Sequence, residues 1–207
     1  LDRLPTFDGE DEIRSLGYGV VAGIDEVGRG ALAGPVVAAA VVLPRETDIP
    51  WLSLVRDSKQ LSAQQRERIF ELVLGARIAF GLGAVSHALV DALGIVRATQ
   101  LAMNLAVDNL KVKPDYLLLD AMLLPELRLP QKGIIRGDQT CVSIACASIV
   151  AKVSRDRHMQ YMDTLYPGYL LAENKGYGTP EHLERLQGLG PCAIHRRSFG
   201  PLRERLI

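Results

Sequence analysis

Residues 20–44 read VVAGIDEVGRGALAGPVVAAAVVLP and set two adjacent carboxylates, Asp25 and Glu26, inside an apolar run. Residues 20–24 and 35–43 are short and rich in β-branched and small apolar types, which predicts two buried strands joined across a glycine-rich, hairpin-like break. Asp25 and Glu26 then fall where the first strand ends. A buried ionised carboxylate is costly unless it is paired, hydrogen-bonded or bound to a cation, and no lysine precedes the pair within the strand. Two readings follow: a cation site, or a turn in which Asp25 caps the amides of Val27 or Gly28 while Glu26 faces water. The glycines of GRGALAG also suggest a dinucleotide loop. That reading fails because Gly34-Pro35 leads into another strand rather than a helix N-terminus, and two acids at the mouth repel a pyrophosphate. Glycines beside acids fit backbone amides that approach a phosphodiester or sugar closely.

Downstream, Ser62 and Gln65 form a capping box that starts a helix stopped by Gly75, and residues 77–85 predict a further strand. Ser86 caps helical sequence to about residue 110, interrupted at Gly94. Residues 115–120, DYLLLD, then form a strand that ends in another acid, Asp120. Helix-then-strand order argues an α/β sheet with partly parallel pairing, and in such sheets ligands collect outside the carboxyl ends of the strands. For a lone Asp, entry into a turn is the alternative. Residues 132–136 are strand-like, and Gly137-Asp138 leads into a long amphipathic segment, residues 142–165, whose SIACAS opening suits close packing on a sheet. Asp138 or Thr140 is the expected N-cap, and Lys152, Arg155 and Arg157 are expected on a solvated face. Beyond residue 166 the chain becomes rich in Gly, Pro, aromatic and basic residues, with a helix start at Thr179-Pro180. Tyr177 lies between two glycines in KGYGT, which predicts a ring projecting from a loop and able to stack on a sugar or base.

With 207 residues, 48% of them hydrophobic, the chain can bury a substantial core. Lys plus Arg and Asp plus Glu number 24 each, so no global charge announces a polyanion partner. The distribution is uneven: residues 1–26 hold two basic and seven acidic side chains, residues 152–207 nine basic and six acidic, which predicts a polyanion surface toward the C-terminal end. Three cysteines without CxxC spacing, Cys141, Cys146 and Cys192, read as reduced thiols of a cytoplasmic protein. No apolar run is long enough to span a membrane.

Asp25, Glu26, Asp120 and Asp138 each sit at a strand end or helix start, far apart in sequence and able to converge. Four carboxylates at one locus repel, and a pair of divalent cations roughly 3.5–4 Å apart, the clamp for in-line displacement at phosphorus, would neutralise them. Oxygen-only ligands favour Mg²⁺ or Mn²⁺. With these acids in place, GIDEVGRGALAGPVVAAAVVL, DSKQLS, LLLD, GDQTCVSIACASIVAKVSRDRHM, NKGYGT and HRRSF, in this order, resemble the ribonuclease HII family over nearly the whole chain. Val27, Gln60, Leu93-Gly94 and Cys146 depart from the family pattern, and none of these departures removes an acid.

The resemblance implies an α/β, RNase H-like fold: a mixed five-stranded sheet flanked by helices over residues 1–166, with a C-terminal helical extension, residues 167–207, packed on it and closing over substrate. It implies metal-dependent hydrolysis on the 5′ side of a ribonucleotide, within RNA–DNA hybrids and at single ribonucleotides in duplex DNA, leaving 3′-hydroxyl and 5′-phosphate ends. Asp25, Glu26, Asp120 and Asp138 carry over as ligands of two ions. Gly28-Arg29-Gly30 carry over as readers of the ribose 2′-hydroxyl, and Tyr177 as the ring packed on the adjoining deoxyribose. For contacts to the nucleic-acid backbone the expected residues are Ser58, Lys59, Lys175 and the group His195, Arg196 and Arg197. Neighbouring strand residues face opposite ways, so Glu26 has three routes to an ion: its carboxylate, its main-chain carbonyl or a bridging water. The protein is expected to act as a monomer. A phosphohydrolase of small nucleotides gives no reason for the basic, aromatic C-terminal segment, and a silent binding module gives none for four acids facing phosphates.

Overall fold

The computed structural model describes residues 4–44 and 49–203, so residues 1–3, 45–48 and 204–207 lie outside it. A short helix, α1 (Asp8–Ser15), precedes the hairpin β1 (Val21–Val27) and β2 (Val36–Val42). There follow α2 (Ala63–Gly75), β3 (Ala79–Val85), α3 (His87–Leu93), α4 (Ile95–Asp108), β4 (Tyr116–Asp120), β5 (Gln131–Ile134), α5 (Gly137–Thr140) and α6 (Val142–Leu165). The chain finishes with α7 (Leu171–Asn174), α8 (Pro180–Leu189) and α9 (Gly200–Arg203). Capping residues set several of these starts as expected: Ser62 and Gln65 form the reciprocal capping box of α2, Ser86 caps α3, and Thr179 caps α8 with Pro180 behind it.

The five strands form one mixed sheet in the order β3-β2-β1-β4-β5, antiparallel on the β2 side of β1 and parallel on the β4 side. β1 is therefore central and nearly continuously apolar, as a strand covered on both faces must be. On one face Ala22, Ile24, Ala38 and Ala40 meet Ala98, Ala102 and Ala106 of α4. On the other, Ala39 and Val41 meet Ala145, Ile149 and Val153 of α6, which is covered in turn by Ile69, Phe70 and Val73 of α2. Burial of each large side chain of this set is worth roughly 1.5–3 kcal/mol. α6 lies very close to the sheet because Gly23 has no side chain: a Cβ there would sit 2.3 Å from the Ser143 backbone.

Two expectations change. β1 does not end at Ile24, since Asp25, Glu26 and Val27 continue the ladder opposite Ala39, Ala38 and Val37 of β2. Nor is α6 amphipathic over its first turns: residues 142–151 are all buried, because the helix is sandwiched between the sheet and α2. Leu171, Leu186, Ile194 and Leu202 pack with Met159 of α6 and with Leu32 and Ala33 of the β1–β2 connection. An antiparallel bridge between Ala33 and His195 ties the same segments together. Among the described residues no helix is long and apolar enough to cross a membrane.

Candidate active site

The parallel pairing of β1 with β4 puts two acids side by side. Ile24 is opposite Leu119, so the next residue of each strand, Asp25 and Asp120, lies at the same end of the sheet. Asp120 is aligned with Ile134 of β5, and its Oδ1 accepts the Gly137 amide at 2.9 Å, which draws the α5 turn and its Asp138 toward the strand ends. One carboxylate oxygen from each of Asp25, Asp120 and Asp138 lies within 4.8 Å of the others. Asp138 is neither an N-cap nor a surface turn residue; α6 starts from Cys141, which makes no side-chain cap. Glu26 stands apart. It lies outside that 4.8 Å group but lines the same cavity, and its Oε1 accepts from Arg29 at 3.0 Å while Oε2 is buried without a protein partner.

The electrostatics follow from burial. The Asp25 carboxyl is pushed well above the usual carboxylate range by desolvation first, then by the charges of Glu26 and Asp120, against hydrogen bonding from Ser148 and the Glu26 amide. Glu26 is raised by desolvation and held back by Arg29. Asp138 is raised by desolvation and Asp57 and opposed by Lys59, whose Nζ lies 3.4 Å from Asp138 Oδ2.

Asp25, Glu26 and Asp120 open onto a cavity of about 450 Å³ lined also by Gly28, Arg29, Gly30, Ser58, Lys59, Ser148, Lys152 and Tyr177. Gly28 has φ 87°, and a Cβ there would meet Arg155 Nε at 2.2 Å, so no other residue fits both conformation and space. A Cβ at Gly30 would meet nothing within 4 Å, which leaves its backbone open to the cavity. Tyr177 does not project freely: its hydroxyl accepts the Gly28 amide at 3.2 Å, and Arg155 and Lys152 stand 5.3 and 5.9 Å from its ring centroid.

Several expectations for the basic residues are overturned. Arg155, expected on a solvated face, is fully buried and donates to the carbonyls of Pro35, Ala33 and Lys175. Arg196 is buried as well and donates to Gly34 and Arg29 carbonyls, which ties the C-terminal segment to the glycine turn. His195 is 1% exposed. Neither His195 nor Arg196 is therefore presented to a phosphate, and of that group Arg197 alone is exposed. Lys175 is outside the cavity lining, and its ammonium donates to the Ala172 carbonyl. Ser58 and Lys59 do reach the cavity, with Ser58 Oγ 2.8 Å from Ser148 Oγ.

This architecture and site can be set beside known proteins. The Ribonuclease HII family profile matches residues 22–201. The chain belongs to the ribonuclease HII family. A ribonuclease HII of Dehalococcoides mccartyi is 51% identical over 199 residues, covering 96% of this chain and 94% of the relative. That of Geobacter metallireducens is 50% identical over 212 residues, covering 98% of each chain. Among solved structures, the ribonuclease H2 from Pyrococcus horikoshii OT3 superposes with a TM-score of 0.75 at 27% identity, covering 90% of this chain and 96% of that one. Membership of the ribonuclease HII family makes the chain a hydrolase of the type 2 ribonuclease H class.

The donor set of this ribonuclease HII chain suits a hard divalent cation. Asp25, Asp120 and Asp138 offer only oxygens, the Asp25 and Asp138 carboxyls resist ionisation without compensation, and the orphan Glu26 Oε2 is a buried acceptor awaiting a positive partner. Ser148 escaped the sequence reading, and Lys152, expected on a solvated face, lines the cavity instead. Their spacing of four residues on α6 puts them on one helical face, and that periodicity was the available signal. Asp57 escaped it too: its carboxylate accepts the Lys59 amide at 2.9 Å and Gln139 Nε2 at 3.1 Å, joining the Lys59 turn to the Asp138 turn.

Proposed function

We propose that the protein is a metal-dependent endoribonuclease that hydrolyses the phosphodiester on the 5′ side of a ribonucleotide, in RNA–DNA hybrids and at single ribonucleotides embedded in duplex DNA, leaving 3′-hydroxyl and 5′-phosphate ends. The observation that carries this reading is the convergence of three carboxylates, Asp25 and Asp120 of them lining the cavity that also exposes Gly28-Arg29-Gly30 and Tyr177. Asp25, Glu26, Asp120 and Asp138 are the proposed ligands of two Mg²⁺ or Mn²⁺ ions, which when bound supply charge neutralisation at the attacking and leaving oxygens. The open backbone of the glycine turn suits a ribose 2′-hydroxyl, the donor and acceptor that separates RNA from DNA at one site. Tyr177, anchored at its hydroxyl, offers a ring face to the adjoining sugar. Lys59, exposed along most of its side chain beside Asp138, is available to a phosphate. In this reading residues 1–166 supply the acids and residues 167–207 form the substrate-binding extension, in a monomer of the reducing cytoplasm, where Cys141, Cys146 and Cys192 stay unpaired.

The test is cleavage of an end-labelled DNA duplex with one internal ribonucleotide, beside all-DNA and RNA–DNA duplexes, in Mg²⁺, Mn²⁺ and chelator. Incision immediately 5′ of the ribonucleotide, dependent on metal and absent from the all-DNA duplex, is expected. Binding of the same duplex without cleavage in either metal would reduce the protein to a binding module.

A further inference from the structure

The C-terminal extension holds two buried imidazoles in contact, outside the cavity lining. His182 and His195 are 0% and 1% exposed, with Nε2 atoms 3.2 Å apart and ring centroids 5.4 Å apart. Their outer nitrogens have unequal partners. His195 Nδ1 receives the Cys192 amide at 3.1 Å, so it is an acceptor and its proton must sit on Nε2. His182 Nδ1 is 2.8 Å from the Tyr177 carbonyl, which can only accept, so that nitrogen carries the proton and His182 Nε2 receives from His195. The chain of donors is therefore polarised in one direction, from the Cys192 amide through both rings to the Tyr177 carbonyl. Burial depresses the basicity of His182, and burial together with His182 takes His195 down to about 4, which keeps both rings neutral at pH 7.

Tyr177 is thus gripped from both sides. Its carbonyl accepts from His182 and from the Thr179 amide at 2.8 Å, while its hydroxyl accepts from Gly28. Resting on the reading that Tyr177 meets the substrate sugar, we infer that His182 and His195 are positioning residues: a neutral two-imidazole relay that fixes the main chain of Tyr177, and through it the ring, against the glycine turn. Neither histidine itself lines the cavity.

Two measurements test the relay. Histidine ¹⁵N shifts of the intact protein at pH 7 should report His182 as the Nδ1–H tautomer, the less common form in water, and His195 as Nε2–H. An Nε2–H or charged His182 overturns the proposal without any variant. In single-turnover cleavage of the one-ribonucleotide duplex, His182→Leu should slow the reaction about tenfold with duplex affinity within threefold of wild type. His182→Asn, which keeps a donor at the position of Nδ1, should recover most of the rate. In a Tyr177→Ala background His182→Leu should cost less than twofold more, because no ring remains to position. An undiminished tenfold loss there, or a well-folded His182→Asn as slow as the Leu variant, overturns the relay. Failure of the wild type to cleave any duplex would instead sink the ribonuclease reading, and the tautomer result would still decide whether the relay exists.

Discussion

At the scale of single residues, the acids were legible and their partners were not. Asp25 and Asp120 each close an apolar segment and Asp138 stands at a helix start, where a charge is conspicuous in one sequence, whereas Arg155 and Arg196 serve carbonyls more than a hundred residues away that no local pattern can indicate. Asp25 gives a prediction with a definite sign. Its raised pKa means that the folded, metal-free protein holds this proton more tightly than the unfolded chain does. That contribution to stability is complete below the usual carboxylate range and is lost as pH rises through the raised folded value. Asp25→Asn should therefore make the metal-free protein more stable than wild type at pH 8, by on the order of 1.4 kcal/mol for each tenfold by which burial disfavours the charged carboxylate. The gap should close toward pH 4, and Mg²⁺ should raise the Tm of wild type but not of the variant. Cleavage should fall by roughly 10²–10³-fold or more, the scale of losing one preorganised electrostatic group. Denaturant titrations across pH in chelator decide it, and a variant less stable than wild type at pH 8 would show that Asp25 is already compensated by the protein.

At the scale of elements, helix boundaries were legible wherever the cap is local. Ser62, Ser86 and Thr179 each accept an amide three residues on, and α2, α3 and α8 begin where those residues predict. α6 is the exception, because its cap is supplied across the molecule: Glu10 of α1 accepts the Ser143 amide through Oε1 at 2.8 Å, at a distance of 133 residues in the chain. Its carboxylate also lies at the positive end of the α6 macrodipole. Thr6 pairs with both sides of the same junction, donating to Thr140 and accepting from Val142, so the N-terminal segment clamps the turn that carries Asp138. Glu10→Ala should cost about 1–2 kcal/mol, the value of a lost cap. Single-turnover cleavage should slow more than duplex affinity weakens, since the displaced group, Asp138, is a proposed ligand rather than a phosphate contact. Equilibrium unfolding and single-turnover rates check both halves; unchanged stability would mean that the Thr6 pairing alone holds the junction.

At the scale of the whole molecule, charge balance was readable but its placement was misleading. The surplus of basic residues after Lys152 predicts a polyanion surface at the C-terminal end, yet Arg155 and Arg196 are buried on carbonyls, and Arg157 pairs with Glu67 and Glu71 at 2.5 and 2.8 Å. What remains around the cavity is Arg29, Lys59 and Lys152, contributed by three separate segments that only the fold assembles. Because the net formal charge is zero, nucleic-acid affinity must come from this local group rather than from a global field. Each phosphate neutralised by a lysine contributes about 0.9 to the slope of log affinity against log salt on B-form DNA. Lys59→Ala should therefore lower that slope by about one unit, measured by fluorescence anisotropy on a ribonucleotide-containing duplex in chelator, where cleavage does not interfere. Arg157→Ala, which frees two carboxylates on the α2 side without touching the cavity, should leave the slope unchanged. A flatter slope for Arg157→Ala than for Lys59→Ala would move the duplex onto the outer face of α2 and α6, and the carboxylate cavity would then lie off the path of the phosphate backbone.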